Sequence, residues 1–174
     1  MPRAWAVGLA LAMLVPHVAR ADDTRPEEPN ESQQRQESRA SFRRGVTALQ
    51  KQQWAEAKAE FLHAYKLFPH PSILLDLGVS RAHVGEVVEA EQDLTRFLAE
   101  DTSAIPDELQ TARTTLESVR KQLGTIRVRV TTVGATATVD DKPIALVSGE
   151  LADIRVTLGS HKLEVSAQEH VTWS

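Results

Sequence analysis

Cysteine is absent from the 174-residue chain. Disulfides, thiolate metal sites and an N-terminal lipoprotein anchor are thereby excluded, so any exported form is held together by packing alone. Long apolar runs are missing too. The longest, residues 5–15, falls well short of the about 20 residues that span a bilayer. Basic charge is not in excess: 20 Lys and Arg face 24 Asp and Glu, for a net charge of −4. That balance argues against nucleic acid or an anionic membrane surface as the partner. Motifs of catalysis are absent as well. There is no His-Glu-x-x-His, no Gly-x-Ser-x-Gly and no glycine-rich phosphate loop.

The N-terminus is patterned for export. Arg3 precedes the apolar run, and Ala19-Arg20-Ala21 forms a small-x-small cleavage site. Residues 1–21 read as a signal peptide cleaved after Ala21, which leaves no stable membrane anchor and places the protein in the periplasm or outside the cell. Arg3 and Arg20 leave with it and no acid does, which moves the net charge from −4 to −6. Residues 22–37 are polar, with Pro26 and Pro29 and no large apolar side chain, the composition of a disordered leader.

Residues 38–123 have a helical period. Five helices are expected: 38–52, 54–68, 72–84, 86–100 and 106–123. Pro69 and Pro71 stop the second and Gly85 turns the third into the fourth. Pro106 opens the fifth, with Asp107 and Glu108 in its first turn. Gly45, Trp54, Ala57, Phe61 and Ala64 recur 33 residues later as Gly78, Val87, Ala90, Leu94 and Phe97. Five positions at one spacing describe a helix-turn-helix unit used twice. The fifth helix lacks the pattern and has the wet back and apolar seam of a terminal cap. Gly45, Gly78, Ala57 and Ala90 are expected where helices cross closely.

After Gly124 the period becomes two, with β-branched residues prominent. Gly124 is expected to stop the last helix and begin a second domain, residues 124–174. Ile126, Val128 and Val130 form one strand face and Ala135, Ala137 and Val139 another. Asp140-Asp141-Lys142-Pro143 is a turn, and Gly159-Ser160 reads as a hairpin between strands 154–158 and 163–167. The fold class is therefore α+β in separate domains: an α-helical repeat of two units plus a capping helix, then a small antiparallel β domain with one buried face.

Ala57-x-x-x-Phe61 followed by Pro69, with Leu77-Gly78, resembles the tetratricopeptide repeat, although the usual period is 34. Ankyrin repeats share the period of 33 but their Thr-Pro-Leu-His signature is absent. Gly134-Ala135, Val139-Asp140-Asp141-Lys142-Pro143 and the segment Leu158-Gly159-Ser160-His161 into Leu163-Glu164-Val165 are similar to the PEGA domain of bacterial envelope proteins. That family continues past Val171-Thr172-Trp173 with another strand, so a chain stopping at Ser174 is expected to leave a sheet edge partly open. The combination resembles exported bacterial proteins regarded as interaction modules without catalysis.

That resemblance implies a non-catalytic adaptor of the cell envelope that captures a peptide or protein segment in an apolar helical groove. In tetratricopeptide arrays the first helix of each repeat lines the concave face. On that mapping the binding residues are Arg39, Phe42, Arg43, Val46, Leu49 and Gln50 from the first unit, with Leu75, Val79 and His83 from the second. Phe42 and Leu49 are also large enough to be core. A structural or adhesive envelope protein acting through its β domain is the alternative, and either partner is a protein or envelope component. No cofactor is implied. Glu56, Glu60, His63 and His70 could converge on zinc, but alternating Lys58 and Lys66 favour a solvated face and no metal site is assigned. Asp140-Asp141 is more ordinary as a turn than as a calcium site. Arg127 and Arg129 suit either an anion or a half-wet strand.

Overall fold

A computed structural model describes residues 31–167, as five helices followed by five antiparallel strands. The expected signal peptide lies outside the described residues, as does the expected strand position at residues 171–173. The helices are α1 (Glu31–Gln50), α2 (Trp54–Leu67), α3 (Ile73–His83), α4 (Val87–Glu100) and α5 (Pro106–Arg120). Among the described residues no helix is long and apolar enough to cross a membrane.

α1 begins at Glu31 rather than residue 38, so the last part of the expected leader is helical. Two contacts explain the extra turns. Arg35 pairs with Glu31 along the helix and lays its guanidinium 4.6 Å from the Phe68 ring centre. Ser38 is buried and donates to the Ala64 carbonyl at 2.9 Å. Composition alone is blind to both, because each partner lies in or beside α2.

α1 packs on α2 and α3 on α4 through closely approaching backbones. A Cβ built on Gly45 would stand 2.7 Å from the Phe61 ring, and one on Gly78 would stand 2.7 Å from Leu94 Cγ. Ala57, Phe61, Ala90 and Leu94 are completely buried. Small residues set the distance, and the large residue on the facing helix fills the space so created.

Polar pairs accompany both contacts. Arg44 lies 2.9 Å from each carboxylate oxygen of Glu60, and the buried Ser41 hydroxyl bonds the His63 ring at 2.8 Å. Between α3 and α4, Arg81 donates to Asp93 at 2.5 Å. Burial outweighs this partner and pushes the Asp93 carboxyl up from its ordinary value.

α5 closes the helical part. Its seam of Ala112 and Leu116 packs with Leu74, Leu75, Leu94 and Phe97. Pro106 occupies the first turn, and the Ile105 N–H donates to Glu108 at 3.0 Å. The helix ends at Arg120, and β1 (Leu123–Arg129) begins almost at once. Gly124 is thus a strand residue and not a helix stop. Leu123 starts the strand yet still packs with Val87, Ala90 and Val119, so the last core contact is made from extended backbone.

The other strands are β2 (Thr136–Val139), β3 (Lys142–Ile144), β4 (Leu151–Thr157) and β5 (Leu163–Ser166). They form two sheets, β1-β4 and β3-β2-β5. The expected hairpin at Gly159-Ser160 does not form: β4 pairs with β1 from Leu123↔Thr157 to Arg129↔Leu151, while β5 pairs with β2. The intervening loop instead carries the chain between sheets. It is tied down by His161, whose ring sits 2.6 Å from Asp140 Oδ2 and 2.7 Å from the Thr157 carbonyl. The Lys162 N–H donates to the other Asp140 oxygen at 2.9 Å. The true two-residue turn is Asp140-Asp141, with φ of 49° and 63°, values that Asp tolerates better than most residues.

A single buried face is likewise not what the strands make. Val128, Val156, Ala137 and Val139 are buried, but Leu163 and Val165 of β5 remain 42% and 48% exposed. The β part meets α4 through Arg155, which donates to both oxygens of Glu91 at 2.8 and 2.9 Å. Arg120 reaches the same carboxylate at 3.1 Å. Val87 and Val88 of α4, Val139 and Ile144 of one sheet, and Ile154 and Val156 of the other line a common cavity of about 430 Å³.

Gly78→Ala is expected to lower stability by about 1–2 kcal/mol in urea denaturation, because overpacking against Leu94 outweighs the usual helical gain of alanine. Hydrogen bonding to Asp140 and to the Thr157 carbonyl raises the His161 pKa above its ordinary 6.5. Its contribution to stability is therefore complete below about pH 6.5 and is lost as pH rises through the raised value. His161→Gln should lower the thermal midpoint at pH 6 and flatten its decline toward pH 9.

Candidate partner-binding face

The residues expected to bind a partner are distributed over α1 and α3, and the structure treats them unequally. Phe42, Val46 and Leu49 follow a helical stripe on α1. All three are half-buried against the cluster containing Ala57 and Phe61. The Phe42 ring centre is 5.4 Å from that of Phe61, with the rings tilted by 56°. Leu75 is buried with Leu94 and Phe97, and Val79 packs half-open on the same cluster. Phe42, Val46, Leu49 and Val79 thus serve the core with one side and present the other to solvent, whereas Leu75 is a core residue.

Gln50 is exposed at the end of α1. His83 is exposed as a residue, but its ring stacks on Trp54 at 3.7 Å between centres and 5° between planes. It is therefore engaged with the start of α2.

Arg39, Phe42 and Arg43 come together at a concavity of about 360 Å³. Arg35, Ser38, Phe68, His70, Ser72 and Ile73 complete its lining. Val46, Leu49, Gln50, Leu75, Val79 and His83 do not line it. Arg35 was legible as the first member of a row spaced by four, Arg35-Arg39-Arg43. Phe68, His70 and Ile73 were not, because the connection from α2 to α3 places them. The Ser72 hydroxyl and His70 Nδ1 lie 2.8 Å apart, and the Ser72 N–H donates to the same nitrogen at 3.3 Å.

The charges around this face are unbalanced in two senses. Among the described residues, Arg39 and Arg43 have no ion-pair partner, and no carboxylate lines the concavity. One turn beyond Ile73, Asp76 is held in a largely desolvated position. Burial, reinforced by Glu108 of α5, pushes its carboxyl up to about 6.

The zinc alternative finds its groups otherwise occupied. Glu60 faces Arg44, His63 faces Ser41, and His70 faces Ser72. Glu60 and His63 thus look toward α1 and not outward from a solvated face. Among the described residues, no three His, Asp or Glu side chains gather where they could hold a metal ion. Arg127 is paired across the strands with Asp153 at 3.1 Å.

Comparison with known proteins found no matching family model, no matching curated protein and no matching solved structure.

Because burial disfavours the ionised Asp76, the native state holds its proton more tightly than the unfolded chain does. Stability should fall as pH rises from about 4 through about 6. Asp76→Asn is expected to remove that fall and to stabilise the protein at pH 7 by about 2 kcal/mol, measured by urea denaturation across pH.

Proposed function

We propose that this chain is a non-catalytic scaffold of the cell envelope that captures a peptide or protein segment on the face shared by α1 and α3. One observation carries this reading: Phe42, Val46 and Leu49 of α1 and Val79 of α3 are only half-buried, and Phe42 lines a concavity of about 360 Å³. Folded chains bury such side chains when they can, and a partner segment lying along the helices would complete their burial.

Several finer features belong to the same proposal. The helices form two tetratricopeptide-like units and a cap; the equal approaches of Gly45 to Phe61 and of Gly78 to Leu94, 33 residues apart, support it. The strands form a PEGA-like unit, supported by the Asp140-Asp141 turn and by the place of His161 just after Gly159-Ser160. The two parts act as units joined through Glu91, Arg120 and Arg155. Export rests on the pattern of residues 1–21. A scaffold needs no converging nucleophile, base and oxyanion donors, and the chemistry around the face is that of ion pairs and apolar contact.

A structural or adhesive role through the β part is the second reading. The exposure of Leu163 and Val165 on neighbouring positions of one strand face favours it.

Affinity capture from an envelope extract separates the two. Val46→Glu with Val79→Glu is expected to abolish capture with the helical circular dichroism intact, whereas Leu163→Ser with Val165→Ser should leave capture unchanged. The opposite pattern would favour the adhesive role, and loss of helicity in the valine variant would make both valines core residues.

A further inference from the structure

Arg35, Arg39 and Arg43 recur every four residues on α1 and all line the concavity. Arg35 is already committed to Glu31 and to the face of Phe68. Arg39 and Arg43 are exposed and lack an ion-pair partner among the described residues. Elsewhere on the helices Arg44 pairs with Glu60, Arg81 with Asp93, Arg96 with Glu100 and Arg120 with Glu91, while the exposed Arg113 of α5 likewise has no ion pair among the described residues. Arg39 and Arg43 are set apart by sharing one concavity with apolar side chains and no carboxylate among the described residues, in a chain whose net charge is −4.

The apolar part of the lining is Phe42, on α1 beside the arginines, with Phe68 and Ile73 contributed from the end of α2 and the start of α3. Such a site discriminates by two criteria at once. The arginines favour carboxylates, which they can bind in planar, two-pronged geometry. The aromatic and aliphatic wall favours a large apolar side chain, which would lose water on entering.

We infer that the concavity binds an acidic, extended segment of a partner protein in the pattern acid–apolar–acid, its side-chain carboxylates on Arg39 and Arg43 and its apolar residue on the side formed by Phe68 and Ile73. This rests on the α1–α3 face being the capture surface. The spacing agrees. Four helical residues rise about 6 Å, and alternate residues of an extended chain stand about 6.6 Å apart on one side. Two acids at i and i+2 thus match two arginines at i and i+4, and the residue between them points away toward the other wall.

The test uses dye-labelled, C-terminally amidated peptides with a central Glu-Leu-Glu, and fluorescence anisotropy with the whole chain. Binding is expected, weakening by about tenfold or more with Arg39→Glu/Arg43→Glu and in about 0.5 M salt. Exchanging leucine for serine should weaken it as well. Equal binding of a Lys-Leu-Lys peptide, binding only with a free terminal carboxylate, or no binding of the acidic peptide would overturn the inference. Because Arg39 and Arg43 are exposed and have no ion-pair partner among the described residues, the charge-reversed protein should keep its circular dichroism spectrum. An envelope partner retained by that variant but lost with Val46→Glu/Val79→Glu would overturn the acidic segment and leave the capture surface standing. A partner lost with neither would overturn both.

Discussion

Close approach of paired helices is the constraint on which the rest of this structure depends. At Gly45 and Gly78 there is no room for a Cβ, because Phe61 and Leu94 occupy the space that a side chain would take. Dispersion and apolar burial both reward that proximity. Once α1 is seated on α2 and α3 on α4, the outward sides of Phe42, Val46 and Val79 are left where a partner could reach them. The same seating aligns an acid on the second helix of each pair with an arginine on the first. Glu60 meets Arg44, and Asp93 meets Arg81. The second pair is the more desolvated, so there burial opposes the ion pair's favourable attraction.

The β part depends on the helices through a small set of charges. Glu91 on α4 accepts from Arg155 on β4 and from Arg120 on α5. A single carboxylate thus joins three elements, and its hydrogen bonds to Arg155 and Arg120 lower its pKa from the ordinary value. Within the β part, Asp140 links the turn after β2 to the backbone and ring that follow β4. Charge-assisted hydrogen bonds take a large share of the ordering there, because β5 leaves its larger apolar side chains exposed.

Five helices followed by antiparallel strands were legible because periods of 3.6 and 2 reflect which side of each element meets the core. Helix boundaries from Trp54 to Pro106 were close for the same reason, helped by Pro69, Gly85 and Pro106. Boundaries failed where a distant residue decided them. The start of α1 depends on Phe68 and Ala64, and the strand identity of Leu123 depends on pairing with Thr157. Gly159-Ser160 has the composition of a hairpin turn, but composition is silent about which strand β4 will pair with. Of the expected binding residues, Arg39, Phe42 and Arg43 share the concavity, whereas His83 is taken by Trp54.

By itself the sequence determined the kind and order of the elements, the small residues at which helices approach, and the absence of disulfide and thiolate chemistry. These are local or periodic properties, and one strand of text carries them. Tertiary structure alone decided the pairing of β1 with β4, the meeting of Phe42 with Phe68 and Ile73 at one concavity, and the position of Arg39 and Arg43 away from any carboxylate of the described residues. Each of these depends on groups distant in the chain meeting, or failing to meet, within a few ångströms.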